Sequence, residues 1–216
     1  SFLISHFSLA IMLLIAKPLI LDHVDSPLRR TNLVDSHLRK VDVASQVTFG
    51  DEFVLLGYDT PPHSLPSGEW FEITTYWRAL QPGGLNYGVA INVIDAQGHH
   101  WQGADTRVPR WHRKPPPVRE WPPDQYAIVA LSPLLLPGTP PGTYTIEAVA
   151  FERSTLAPLT AHDADGRALG PALSLGQITI TAPRRPSDPA TLDIRHRLDI
   201  SLGPLIASAG IVGIAL

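Results

Sequence analysis

The sequence predicts an all-β protein, an antiparallel immunoglobulin-like β-sandwich preceded by an N-terminal transmembrane helix. Three observations lead there. Proline is abundant, with 22 residues in 216, about twice the usual ~5%, and such density breaks helices and central strands. Short stretches of alternating apolar and polar residues recur between clusters of Gly and Pro, the pattern of half-buried strands and tight turns. The first twenty or so residues form an apolar run, roughly the ~20 that a membrane-crossing helix needs.

Phe2 to Leu21, "FLISHFSLAIMLLIAKPLIL", holds eighteen apolar or small residues in twenty, the exceptions being His6 and Lys17. The run is longer than the ~7–15 residues of a signal-peptide core and has no basic segment before it. A transmembrane helix over residues 1–21 is therefore the expectation, with a signal segment or a buried soluble helix as the alternatives. Lys17 and Pro18 would lie near its interfacial end.

Residues 22–45 read as a polar juxtamembrane linker. "VDSPLRR" (Val24 to Arg30) recurs ten residues on as "VDSHLRK" (Val34 to Lys40), and both copies set an acid before two bases. Such a repeat suits a solvated stalk. Lys17, Arg29, Arg30, Arg39 and Lys40 would place this flank in the cytoplasm by the positive-inside rule.

The sandwich is expected over residues 46–183. "VTFGDEFVLLGYD" (Val47 to Asp59) reads as its opening strand. "WFEITTYW" (Trp70 to Trp77) alternates Phe71, Ile73, Thr75 and Trp77 against Glu72, Thr74 and Tyr76. "YGVAINVID" (Tyr87 to Asp95) sets Val89, Ile91 and Val93 on one face, and "YAIVALS", "GTYTIEAVAFE" and "LGQITITA" continue the series. "TPPHSLPSG", "LQPGG", "DAQG", "LPGTPPG" and "DADG" separate them, because Gly supplies positive φ and Pro presets φ for turns. "DADG" lacks the further oxygen ligands of a calcium loop, so a hairpin turn is expected there.

"RRPSDPATLDIRHR" (184–197) is a second linker, and residues 198–216 form an apolar tail. In that tail "ISLGPLIASAGIV" spaces Gly203 and Gly210 as the opening stretch spaces Gly50 and Gly57. A strand of a truncated or partial second repeat is the reading, with a membrane segment as the alternative, since a charge-free run from Leu202 to Leu216 is short for a span.

Chemistry concentrates in "HHWQGADTRVPRWHRKPPPVREWPPDQ" (His99 to Gln125), which holds three of the five tryptophans. Trp101, Trp111 and Trp121 stand among Arg107, Arg110 and Arg113. Trp and Arg together suit a protein partner, and tryptophan faces also suit sugar rings. The structural alternative is that the tryptophans seal the edge of the sandwich beside a stiff proline loop. His99 and His100 are adjacent and point apart on a strand, so no metal site is expected, and no cofactor.

Other classes are disfavoured. A net charge of -3 with 17% charged residues offers no field for nucleic acid. The absence of cysteine removes disulfides, thiolate metal sites and cysteine nucleophiles. No G-x-S-x-G, H-E-x-x-H or phosphate-cradling glycine loop occurs, so the chain is expected not to be an enzyme.

"VTFGDEFVLLGYD", "FEITTYWRALQPGGLNYGVAINVIDAQG" and "LPGTPPGTYTIEAVAFE" followed by "LTAHDADGRALG" together resemble the extracytoplasmic β-sandwich modules attached to bacterial multi-pass membrane proteins similar to family 39 glycosyltransferases. The likeness covers roughly Gln46 to Ala182, and the tract from Arg107 to Pro123 departs from it in being more basic and proline-rich. The resemblance implies that the sandwich lies outside the cytoplasm, against the pull of the basic stalk. It also implies a noncatalytic accessory or interaction module of a membrane protein or complex, or alternatively a carbohydrate-recognition module appended to a membrane glycosyltransferase.

Overall fold

A computed structural model describes residues 12, 27–30, 32–34, 39–81, 86–106 and 116–185. In chain order the strands are β1 (Leu28–Arg29), β2 (Val43–Phe49), β3 (Phe53–Tyr58), β4 (Ser64–Pro66), β5 (Ile73–Ala79), β6 (Tyr87–Ile94) and β7 (His100–Asp105). They continue as β8 (Tyr126–Leu131), β9 (Gly142–Glu152), β10 (Ala161–His162), β11 (Ala168–Gly170) and β12 (Leu173–Thr181), and a 3-10 turn lies at Val118–Glu120. They form a seven-stranded sheet in the order β1-β8-β5-β3-β2-β10-β11 and a five-stranded sheet in the order β4-β12-β9-β6-β7. The expected all-β sandwich is present. Its pairing is antiparallel except between β12 and the edge strand β4, which run parallel.

Alternation puts one face of each sheet inside. Phe49, Phe53, Leu55, Ile73, Trp77 and Val129 from one sheet meet Val89, Ile91, Val93, Ile146, Ile178 and Ile180 from the other in a single buried cluster. Trp77 sits at its centre, with Phe49 and Phe53 ring centroids 5.2 and 5.4 Å away. Its indole N–H donates to Thr75 Oγ1 at 2.8 Å, and that hydroxyl donates to the Val129 carbonyl at 3.1 Å. These two polar groups are thereby satisfied inside the apolar core, where an orphan would cost about 1–3 kcal/mol.

The stretch Val47–Asp59 is a hairpin rather than one strand. Phe49 and Phe53 are cross-strand partners, and Gly50 between them has φ 54°, a left-handed backbone that ends the extended run. Gly57 serves differently. A Cβ there would lie 2.6 Å from the Val43 carbonyl oxygen, so glycine permits the close approach of β2 to β3 beside the irregularity between Ala44 and Val47, where Ala44 pairs with Gly57.

The juxtamembrane linker expectation needs correction. Part of residues 22–45 is strapped to the outer face of the seven-stranded sheet, and β2 begins at Val43. Leu28 and Arg29 pair with Ala127 and Tyr126. On that outer face Tyr76, Tyr126 and Ile128 form a second buried cluster, covered by Leu33, Val41 and Leu56. Tyr126 fastens the strap by donating its hydroxyl to the Asn32 carbonyl at 2.9 Å and accepting the Val34 N–H at 3.1 Å. The scattered apolar residues of the strap cover a tyrosine-rich surface that would otherwise face water.

The Phe2–Leu21 run, apart from Met12, lies outside the described residues, as does the tail from 198 with Gly203 and Gly210. Among the described residues no helix is long and apolar enough to cross a membrane. The "DADG" turn joins β10 to β11 as a hairpin, with Gly166 N–H donating to the Asp163 carbonyl at 3.0 Å.

Candidate functional site

The segment from His99 to Gln125 begins in a well-ordered turn. Asp95 closes the β6–β7 connection, its Oδ1 accepting the N–H groups of Gln97 and His99 at 2.9 and 2.8 Å. Its Oδ2 accepts the Trp101 indole N–H at 2.8 Å and faces His99 Nδ1 at 3.0 Å. Burial pushes the Asp95 carboxyl up, but hydrogen bonds from Trp101, His99 and Gln97 outweigh it and hold the group below the usual carboxylate value. Trp101 is half-buried, with its ring edge-on to Tyr144 at 6.2 Å. Its indole is committed on its polar edge and packs against the core.

Trp121 lies deeper, only 4% exposed, and donates its indole N–H to the Pro116 carbonyl at 2.7 Å. The 3-10 turn before it brings Val118 into the same cluster. Of the six residues singled out from the sequence, Trp121 is therefore buried and Trp101 half-buried, each with its indole N–H bonded within the chain. Tryptophan buries readily when its single N–H finds an acceptor, as both do here. Arg107, Arg110, Trp111 and Arg113 lie outside the described residues.

The described ends of that tract, Thr106 and Pro116, line one cavity of about 370 Å³ with Asn86, Tyr87, Trp121 and Arg153. Arg153, at the end of β9, ties this corner together. Its Nε donates to the Tyr87 carbonyl at 2.9 Å, and its Nη2 donates to Thr106 O and Oγ1 at 3.1 and 2.9 Å. The Thr106 hydroxyl in turn accepts the Val89 N–H at 3.0 Å. A planar guanidinium holding two strands by their carbonyls is a rigid brace.

Two polar features face this corner. Asn86 Oδ1 is buried without a hydrogen-bond partner, which makes it an acceptor available to a donor entering the cavity. The Tyr87 phenol is pushed up to about 12 by burial first, then by its hydrogen bond to the Glu52 carboxylate and the charges of Glu52 and Glu152. It is a neutral hydroxyl at any physiological pH. Among the described residues no group of three His, Cys, Asp or Glu side chains is placed to hold a metal ion.

Arg153, Thr106 and Asn86 did not stand out in the sequence. Arg153 reaches the tract only because β9 pairs with β6, Glu152 opposite Tyr87, and no local pattern announces that pairing. No protein-family model matches the chain, and no curated protein matches it.

Proposed function

We propose that the chain is a noncatalytic, membrane-tethered β-sandwich of immunoglobulin-like type, lying on the extracytoplasmic side and serving as an accessory or protein-interaction module of a membrane protein or complex. What supports this reading most is the mounting of the Arg- and Trp-rich tract. Both of its described ends, Thr106 at the close of β7 and Pro116 before the 3-10 turn, are pinned to the scaffold, by Arg153 and by Trp121 respectively. Recognition residues carried between fixed ends on a rigid sheet lose less conformational freedom on binding. Arg107, Arg110, Trp111 and Arg113 then supply the residue types that most often anchor protein interfaces. The likeness to sandwich modules of bacterial membrane proteins supports the same placement.

The test is site-specific photocrosslinking of the full chain in native membranes. A benzophenone side chain at Trp111 should give one adduct of defined mass, weakened by Arg110→Ala, while the same probe at Asp165 on the β10–β11 turn should give none. Equal adducts from both positions, or none from Trp111, would count against a partner at this tract. Release of the intact protein by detergent-free carbonate extraction would refute the tether.

A further inference from the structure

A second depression, of about 420 Å³, lies on the outer face of the five-stranded sheet, within the ~300–1,000 Å³ range of small-molecule sites. Its composition follows from register. Val89, Ile91 and Val93 of β6 point into the core, so Ala90 and Asn92 point out. Asn92 pairs with Gly103 of β7 on one side and Glu147 of β9 on the other, and Ala90 pairs with Asp105 and Val149. Partners across an antiparallel ladder share a face, which makes a floor of Ala90 and Gly103 between a polar wall and an apolar one.

The polar wall is Asn92 and His100. A Cβ on Gly103 would stand 3.0 Å from Asn92 Oδ1 and 3.2 Å from His100 Cε1, so the missing side chain is what leaves space where the amide and the imidazole converge. His100 keeps an exposed face, and desolvation of its inner side lowers its pKa; the neutral imidazole has one donor and one acceptor. The apolar wall is Val149 and Phe151, extended by Leu156. Leu156 is 53% exposed and carries the single positive φ found among the described non-glycine residues, 60°. Its N–H donates to the Glu152 carbonyl at 2.8 Å, and the Glu152 carboxylate accepts the hydroxyls of Ser154 and Thr155, which hold the turn in this unfavourable geometry. A large apolar side chain kept exposed in a strained backbone at the rim of a depression is a feature that a bound ligand explains.

We propose that this depression binds a neutral pyranose, one face of the sugar against Val149 and Leu156 over the buried Phe151, and its hydroxyls on Asn92 and His100. A pyranose has the matching character, with apolar C–H groups on its faces and hydroxyls at its edge that both donate and accept. The Glu147 carboxylate on the same face disfavours an anionic sugar or phosphate. The site is separate from the Arg- and Trp-rich tract and stands without the partner-binding reading.

Saturation-transfer NMR on the full chain in a detergent without a sugar head group tests it, with millimolar methyl glucoside, methyl mannoside and N-acetylglucosamine as probes and glucuronate as the anionic control. At least one neutral pyranoside should take up saturation and glucuronate should not. Asn92→Ala should weaken the signal about ten-fold, the scale of one lost hydrogen bond. Leu156→Asn, which suits the left-handed backbone but removes the apolar rim, should weaken it without lowering the thermal midpoint. Absence of transfer to all three neutral sugars, equal transfer to glucuronate, or an unchanged signal in both variants would overturn the proposal.

Discussion

Replacing Tyr126 with Phe removes one oxygen and leaves the ring in place against Tyr76, 6.3 Å between centroids. The lost hydroxyl is the fastener of the N-terminal strap, donating to the Asn32 carbonyl and accepting from the Val34 N–H. Each hydrogen bond contributes about 0.5–1.5 kcal/mol net, so the strap should lose about 1–3 kcal/mol. At 1.4 kcal/mol per factor of ten, local opening becomes about 5- to 150-fold more frequent. Arg29, Arg30, Arg39 and Lys40 all lie in or beside the strap, so limited trypsin digestion reads that opening directly. Cleavage there should accelerate by this factor, with faster exchange of the Val34 amide and a smaller change in the midpoint of the main core. Tyr144→Phe is the control, since its hydroxyl donates to the Pro140 carbonyl at 2.8 Å, far from the strap in sequence, and should leave trypsin cleavage at these sites unchanged. If Tyr126→Phe lowered the global midpoint by the full amount while strap cleavage stayed constant, the strap would be part of one cooperative core and the reasoning would fail.

Gly57→Ala should destabilise by about 3 kcal/mol, the upper end of overpacking costs, because the new methyl meets a backbone carbonyl at 2.6 Å; denaturant titration measures it. Alkaline pH should unfold the protein partly through Tyr87, whose folded pKa of about 12 lies above the ordinary 10.0. Its contribution is complete below the ordinary value and is lost as pH rises through the folded one, and Tyr87→Phe should flatten that part of a stability–pH curve. Asp95 gives the opposite sign. Its folded pKa is lowered, so its contribution is present at neutral pH and is lost as pH falls from the ordinary carboxylate value through the folded one. Asp95→Asn keeps one acceptor oxygen where the carboxylate used two, and should cost about 1–3 kcal/mol at neutral pH by thermal denaturation.

Strands with strict alternation were readable from the sequence. Gly142–Glu152 was bounded by its turn glycine and its own period, and Val89, Ile91 and Val93 pointed where the pattern placed them. The strap was not readable. Leu33 and Val41 are too widely spaced among charges to mark an element, and what makes them structural is an outer surface built by Tyr76, Tyr126 and Ile128, far along the chain. Tyr76 belongs to the same lesson. Its place opposite Trp77 in the alternation implied a solvent face, yet it is fully buried under that cover. The two glycines of the opening stretch suggested one strand with a motif spacing, whereas Gly50 makes a turn and Gly57 a close approach. Density of tryptophan and arginine could not show that the Trp101 and Trp121 N–H groups find acceptors within the chain, because composition carries no pairing information. The outer depression escaped notice because its residues come from three strands and a turn, and register alone assembles them.

The strap also changes what a membrane tether would do. On the proposed reading the membrane helix ends at Leu21, and seven residue steps separate it from Leu28, which is already paired to β8. A fully extended chain advances about 3.3–3.6 Å per residue, so Leu28 would stand no more than about 25 Å from the end of the helix. A free stalk running to residue 45 would have allowed several times that reach, and with it free tumbling of the sandwich. On that reading the strap would remove this freedom by fixing the outer face of the seven-stranded sheet near the anchor, and a partner in the same membrane would meet the module in a restricted set of orientations. Energy transfer from a fluorophore at Arg30 to acceptor-labelled lipid head groups in reconstituted vesicles should therefore be strong. Twelve Gly/Ser residues inserted after His23 should reduce it, because a flexible chain gains end-to-end distance about as the square root of its length. Tyr126→Phe, which loosens the strap without lengthening the chain, should broaden the transfer distribution while leaving its closest approach intact. Weak transfer from Arg30 in the parent chain, or no response to the insertion, would show that the sandwich is not held by this short path.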